Sequence, residues 1–469
     1  MIEYSGAEWL VLVQQELLLF AGAFFLIGAL DEITVDFAWI WLKMTGRART
    51  ETLASEQESE LALSGPAAVF IPTWQEAAVI GTTIRHALAV WPHRQLRMYV
   101  GCYDNDPATL AAAALAGGTD PRLRIVVQPK RGPTTKADCL NSLYAALQID
   151  EARAGRRASM VLLHDAEDMV DPAALTLIDR SMQTADIVQL PVLPEPQPAS
   201  PWIAGHYCEE FAEAHGKAMV VRDALGAGMP LAGVGCAISR AMLTQLAAQN
   251  GGQRPFADGS LTEDYELGLG VAELGGSARF VRMRHEDGRL IATRACFPAR
   301  LDQAVRQKTR WVHGIAFQGW DHLGWSGKPS EFWMRLRDRR GPFTALVLAA
   351  AYLLLVLSGV VWALNAFWQG PSMELNALLR AVLALNFVSF AWRAVWRFAF
   401  TAREYGLGEG LLAILRIPVA NIIAIMAGRR ALMAYVATLS GEAPRWDKTD
   451  HSAHPAAQAV VLAAGRGSQ

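Results

Sequence analysis

The sequence LLHDAEDMVDP sets His164, Asp165, Glu167 and Asp168 in one loop directly behind an apolar strand. Carboxylates held that close repel one another, and a divalent cation relieves the cost. Mg2+ or Mn2+ suits such a loop, because carboxylate oxygens together with diphosphate oxygens complete an octahedron. Acids ahead of a helix starting near Pro172 would also cap its dipole, but four polar groups crowded behind an apolar strand favour metal. Further on, SLTEDYELGLG opens a helix with Thr262, Glu263 and Asp264. Asp264 is there a candidate general base, with Glu263 beside it. In QKTRWVHGIAFQGW, Gln307, Arg310 and Trp311 lie three and four residues apart and share one helix face, with His313 on the same helix. Arginine beside tryptophan makes a floor for a diphosphate and a sugar ring, although an amphipathic helix with interfacial tryptophan would read the same way.

Two earlier stretches, YVGCYDNDPAT and PKRGPTTKADCLN, carry groups suited to a nucleotide. Asp104 or Asp106, at a strand end, can accept hydrogen bonds from a ribose or base. Lys136, opening a helix, offers a cation to a diphosphate, and Asp138 an acceptor to a base N–H, although on its own the stretch reads as a solvated, charged helix start. A strand, a proline turn and Glu76 in FIPTWQEAAVIGTTI could hold a nucleotide edge, although many surface turns of this kind hold nothing. Gly233 and Gly235 would let the backbone approach an acceptor closely, or simply turn the chain.

These groups need strands that end in chemistry. AAVFIP, LRMYVGCYD, LRIVVQP, SMVLLHDAED and DIVQLPVLP alternate with helix-like stretches. That order predicts an α/β, doubly wound mixed sheet over residues 66–330, with its site at the strand carboxyl ends. Ahead of it, Trp9 to Leu30 is long and apolar enough to cross a hydrocarbon core, Phe37 to Met44 suits the interface, and 51–65 reads as a linker. Glu3 and Glu8 ahead of the apolar run, with Asp31 and Glu32 behind it, argue against a signal peptide. Glu16, inside the apolar run, would sit near an interface or face protein. Lys43, Arg47 and Arg49 place the sheet domain in the cytoplasm. After the basic MRLRDRRG, Thr344–Phe367 and Leu378–Phe400 form a hairpin turning at Pro371 and Glu374, both basic ends cytosolic. Residues 411–436, interrupted by Arg416, Pro418, Asn421, Arg429 and Arg430, read as an interfacial amphipathic segment that completes a membrane region over 331–437. The remainder, 438–469, is a C-terminal segment with an Ala/Gly-rich tail.

Composition narrows the function classes. Of 469 residues 52% are hydrophobic and only 19% charged, the apolar excess lying in blocks near both ends, as membrane spans do. A net charge of -2 gives no basic field for nucleic acid. The five cysteines are scattered, without a C-x-x-C pair, which excludes a zinc ribbon and suits reduced cytosolic thiols.

In order and spacing, KAD, the acidic DAED, TED and QxxRW resemble the family 2 inverting glycosyltransferases of the GT-A fold, such as the synthases of cellulose, hyaluronan and poly-N-acetylglucosamine. The resemblance covers Pro66 to about Trp325 and the membrane layout. It implies that Asp106, Lys136 and Asp138 bind UDP and that Asp165 with Glu167 holds Mg2+ or Mn2+. It further implies that Asp264 is the base, while Gln307, Arg310 and Trp311 hold acceptor and diphosphate. The chain departs from the family's DxD in reading DAE followed by Asp168, so Glu167 and Asp168 both stand as candidates for the second ligand. HDAED, DEITVD and RWDKTDH look closest to the bacteriophage adsorption protein B branch, inner-membrane proteins tied to phage reception and exopolysaccharide. Longer members carry a further C-terminal nucleotide-signalling domain, expected to be lacking here. By the same resemblance, Trp446 and Lys448, with Thr449, form a gating element that closes over the nucleotide; a basic-aromatic membrane anchor is the alternative. The expected function is transfer of a sugar, from UDP-N-acetylhexosamine or UDP-hexose, to a growing exopolysaccharide coupled to export, with an outer-membrane partner possible. Transfer to a lipid or polyprenyl phosphate needs the same core. A non-enzymatic receptor or assembly platform has no use for the clustered acids.

Overall fold

The structure is a computed structural model that describes residues 5–54, 62–368, 375–442 and 454–455. Its strands are β1 (Glu51–Thr52), β2 (Ala67–Pro72), β3 (Leu96–Cys102), β4 (Leu123–Val127), β5 (Met160–Leu163), β6 (Ile187–Gln189), β7 (Val192–Pro194), β8 (Cys236–Ser239), β9 (Ala278–Phe280), β10 (Met283–Arg284) and β11 (Thr293–Ala295). Seven of them form one sheet in the order β4-β3-β2-β5-β8-β6-β9. β2 pairs in parallel with β3 and β5, β3 with β4, and β6 with β9, while β8 runs antiparallel between β5 and β6. This is the mixed α/β sheet expected from the alternation of strands and helices.

The central strands are unbroken apolar runs because both faces of the sheet are covered. Val69, Ile71, Met98, Val100 and Leu162 point to one core with Ile80 and Ile84 of the helix Ile80–Val90. Ala68, Phe70, Tyr99, Val161 and Leu163 point to the other, against Leu140, Leu143 and Tyr144 of the helix Lys136–Ala154. β2, β3 and β5 are parallel, so their carboxyl ends open on one edge, where Thr73, Tyr103 and the His164–Asp168 loop emerge.

Several boundaries differ from the sequence reading. The first apolar segment does not stop at Leu30: one helix runs from Gly6 to Met44, so Phe37–Met44 is its continuation. Asp31, Glu32 and Asp36 are satisfied within the fold. Asp36 and Glu213 lie 2.5 and 2.7 Å from the buried Lys217 Nζ, and Arg393 reaches Glu32 and Glu213 at 2.9 Å. Arg337 and Arg340 pair with Asp31 and Glu32. Carboxylates with that many cations do not end a helix. The described ends of the stretch read as a linker are built into the fold: β1 pairs with β10, Leu53 and Leu63 are buried, and Asp179 accepts two hydrogen bonds from Ser64. The hairpin helices run Gly341–Trp368 and Ala377–Tyr405.

The segment read as one interfacial stretch is two helices, Leu407–Leu415 and Ile417–Leu439. They break at Arg416, which is 1% exposed and bonded to Glu209, Glu409 and the Pro201 carbonyl. Pro418, at the start of the second helix, needs no hydrogen-bond donor there. By length and composition Ile417–Leu439 could cross a membrane, so among the described residues four helices meet that description where three were expected.

Candidate active site

The helix bearing Lys136 starts where Thr135 and Asp138 close a capping box: Thr135 Oγ1 accepts the Asp138 N–H at 3.1 Å, and Asp138 Oδ2 accepts from Thr135 Oγ1 at 2.9 Å. That start turns Lys136 toward the sheet edge, with Nζ 2.7 Å from Asp165 Oδ1 and 3.6 Å from Glu263 Oε1. Burial alone would depress the Lys136 pKa, but the carboxylates of Asp165, Glu263 and Asp264 outweigh it and hold the ammonium above its ordinary range.

The acidic loop is shaped by its own last member. Asp168, 1% exposed, accepts the Asp165 N–H at 2.9 Å and pairs with His164 Nδ1 at 2.9 Å, both through Oδ2. Thr83 Oγ1 donates to the Ala166 carbonyl at 2.5 Å. Asp168 Oδ1 is a buried oxygen without a hydrogen-bond partner among the described residues. No three His, Cys, Asp or Glu groups among the described residues converge to hold a metal by themselves. Two or three loop oxygens do fit a cation whose other ligands come from a diphosphate.

With the turn closed from behind, Asp165 and Glu167 border two clefts, each opening onto about 700 Å3, which meet at these two acids and at Lys136, Gln307 and Arg310. One cleft holds Asp264 and Glu263 and is walled by Phe211, Phe297 and Trp311. Burial is the main cause raising the Asp264 pKa to about 7, the neighbouring Glu263 charge adds to it, and Lys136 and Arg310 oppose it. Gly233 has φ +74°, and a Cβ there would stand 2.5 Å from Asp264 Oδ2 and 3.2 Å from Lys136 Nζ. Glycine at 233 therefore makes room for the base and its cation, so the close approach is to the site's own side chains. Gln307 is buried with an unpartnered Oε1, and Arg310 Nε is likewise unpartnered among the described residues.

Residues 65–314, just over half of the chain, match the family described as glycosyltransferase like family 2. The chain belongs to that family. It is 33% identical over 450 residues to the bacteriophage adsorption protein B of Escherichia coli K12, and equally to the bacteriophage N4 adsorption protein B of Escherichia coli O157:H7. Each alignment covers 91% of this chain and 60% of the relative, so the chain spans well under two thirds of those proteins. The fold is similar to that of a mannosyltransferase from Pyrobaculum calidifontis solved with GDP-Man and Mn2+, with TM-score 0.50 and 17% identity, covering 87% of this chain and 99% of the other. The chain is thus a family 2 glycosyltransferase with a GT-A-like sheet.

In this glycosyltransferase the fold gathers Lys136, Asp165, Glu167, Asp168, Glu263, Asp264, Gln307, Arg310 and Trp311 around one cleft. Three predicted nucleotide ligands stand elsewhere. Asp106 caps the helix Pro107–Gly117 and accepts the Gln75 N–H at 2.6 Å. Asp104 is exposed and pairs with Arg131 at 3.6 Å, and Asp138 closes the capping box and faces Lys130 at 3.6 Å. The second cleft is lined instead by Thr73, Trp74, Glu76, Tyr103 and Thr134. Trp74 and Tyr103 meet edge to face at 5.1 Å, and the Tyr103 hydroxyl is 2.6 Å from Thr134 Oγ1. Of these only Glu76 stood out in the sequence. Trp74 and Tyr103 each sit just past a strand end, and that position was the available signal. His313 lies off both clefts, against Phe317 and Tyr435. Trp446 and Lys448 lie outside the described residues.

Proposed function

We propose that this chain is an inverting glycosyltransferase that moves a hexose or N-acetylhexosamine from a UDP-sugar to a growing exopolysaccharide coupled to export. Its catalytic domain would face the cytosol of a bacterial inner membrane that it crosses several times. The observation that carries the reading is a carboxylate with a pKa near 7, Asp264, across one cleft from Lys136, Gln307 and Arg310. A base poised near neutral pH takes the proton from the acceptor hydroxyl as that oxygen attacks the sugar C1 from the face opposite the diphosphate. Lys136 and Arg310 then meet the negative charge that develops on the departing nucleotide. Trp311, with Phe211 and Phe297, offers ring faces to the acceptor. Asp165 and Glu167, with the buried Asp168 oxygen, would hold Mg2+ or Mn2+, which supplies charge neutralisation for a diphosphate. The cleft lined by Trp74 and Tyr103 suits the donor base, which stacks on aromatic rings.

A second reading, transfer to a lipid or polyprenyl phosphate, draws on the aromatic wall. Phe297 and Trp311 pack against Val419 and Ile423 of an apolar helix, so an acyl or prenyl tail could leave along it. One experiment tests both. Purified protein is incubated with a panel of radiolabelled UDP-sugars and Mg2+ or Mn2+, UDP release is followed, and the labelled product is partitioned between water and organic solvent. UDP release with a water-soluble polymer supports the first reading, and an organic-extractable product replaces it with the second. Absence of UDP release from every donor overturns both.

A further inference from the structure

The acidic loop is ringed by imidazoles. His164 pairs with Asp168, His86 Nε2 is 2.8 Å from the Val170 carbonyl, and His285 Nε2 is 2.9 Å from Asp171 Oδ2. Those three belong to the sheet domain. A fourth, His454, comes from the C-terminal segment and is 3% exposed. Its Nε2 lies 3.1 Å from Thr83 Oγ1, a contact between positions 371 residues apart, and it also hydrogen-bonds the Asp168 main chain.

The Thr83 hydroxyl has one proton, and it goes to the Ala166 carbonyl at 2.5 Å. With that proton so placed, the same oxygen accepts from His454 in the tautomer that carries its proton on Nε2. The result is a relay of two hydrogen bonds, from His454 through Thr83 to the residue standing between Asp165 and Glu167. Buried polar contacts of this kind fix one geometry, because breaking either leaves a desolvated group without a partner.

We propose that His454 is a positioning residue for the acidic loop: through its contacts with Thr83 and the Asp168 main chain it holds Asp165 and Glu167 in the spacing that a divalent cation and a nucleotide diphosphate require. The cation part rests on the glycosyltransferase function proposed for the cleft, whereas the bracing of the loop does not. His454 touches no substrate and acts through Ala166 and Asp168. Transfer activity thereby depends on a residue remote in sequence from the motifs that line the cleft.

The test uses the full chain in lipid nanodiscs and three variants: His454→Ala, His454→Gln, which retains an N–H donor, and Thr83→Val, which keeps the shape and removes the hydroxyl. Amide hydrogen exchange is followed in residues 160–172 and in β3, and Mn2+ dependence is read from UDP binding. In His454→Ala and Thr83→Val, loop exchange is expected to speed up about tenfold, the scale of one lost buried hydrogen bond, with β3 unchanged. Half-saturation by Mn2+ should rise severalfold, and His454→Gln should restore both. Unchanged loop exchange, or an equal rise in β3, overturns the proposal. If wild-type UDP binding ignores Mn2+, the metal reading fails, and loop exchange alone decides whether the brace exists.

Discussion

Asp264 combines two properties that pull against each other. Its raised pKa makes it a usable base at neutral pH, and the same shift means that its ionised form is costly in the fold. Since the carboxylate must be ionised to accept a proton, kcat/KM should climb with unit slope below about pH 7 and level off above it. Glu263 contributes to the upward shift, so Glu263→Gln should move that midpoint to lower pH, as a pH–rate profile would reveal. Asp264→Asn should cut transfer by about 10²–10⁴-fold while UDP affinity stays near wild type; transfer within tenfold of wild type would exclude the residue as base. The stability sign comes from linkage. A carboxyl whose folded pKa lies above its unfolded value stabilises the fold fully below the unfolded value and loses that contribution as pH rises through about 7. The Asn variant should therefore melt higher than wild type at pH 8, a difference that shrinks toward pH 4. Asp264 and its partners Gln307, Arg310 and Trp311 were readable from sequence because local spacing and residue type carry their chemistry. Asp106 and Asp138 serve as helix caps, a use the sequence could not separate from ligand binding, since an acid near a helix start looks alike in either role.

At the scale of elements, the acidic loop and the first helix are both set by the groups packed behind them. Asp168 holds the turn through Oδ2, and Asp165 and Glu167 are presented by that turn. Asp165→Ala should remove the effect of divalent cation on UDP binding, whereas EDTA without effect on wild-type transfer would leave the acids as caps and ion-pair partners. The helix Gly6–Met44 continues past its apolar stretch because Lys217 sits between Asp36 and Glu213. Removing one member of a buried ion cluster strands the others, so Lys217→Met should destabilise by about 3–5 kcal/mol. The measurement is a loss of thermal stability in detergent, and a change within the scatter of surface variants would mean that solvent replaces the lysine. Sequence reading ended this helix early because three acids after an apolar run look like its boundary, and their cations lie 181 to 361 residues away.

For the whole molecule, the open matter is how the sheet domain meets the membrane. The helix Ile417–Leu439 has the length and apolarity of a span, yet it touches the sheet domain toward both ends. Val419 and Ile423 pack with Ala304 and Val305, and Tyr435 stacks on Phe317 at 4.5 Å with its hydroxyl 3.2 Å from Asp321. A helix of about 34 Å cannot follow one water-exposed domain along its length and also cross a bilayer. Along another face it runs beside the helix Gly341–Trp368, where a Cβ on Gly428 would stand 2.4 Å from Ala345 Cβ. We therefore expect a reporter fused after Gly441 to be cytosolic, fluorescent as GFP and inactive as alkaline phosphatase. Phosphatase activity there would mean that the helix crosses and that the C-terminal segment lies on the far side from the catalytic cleft.

Hydrophobic periodicity and strand-end polarity by themselves determined the α/β sheet and the apolar helices near both ends, and residue type with spacing picked out the candidate site motifs, because each is written in neighbouring residues. Trp74 and Tyr103 come from separate strands and meet only because β2 and β3 pair in parallel with Pro72 opposite Gly101. Gly233 matters only because Asp264 and Lys136 arrive beside it from two helices. Arg416 interrupts an apolar run in sequence, and only the buried Glu209 opposite shows that it anchors one helix to the sheet domain. Such decisions belong to tertiary structure because the energy of a buried polar group depends on the partner opposite it, which local sequence does not name.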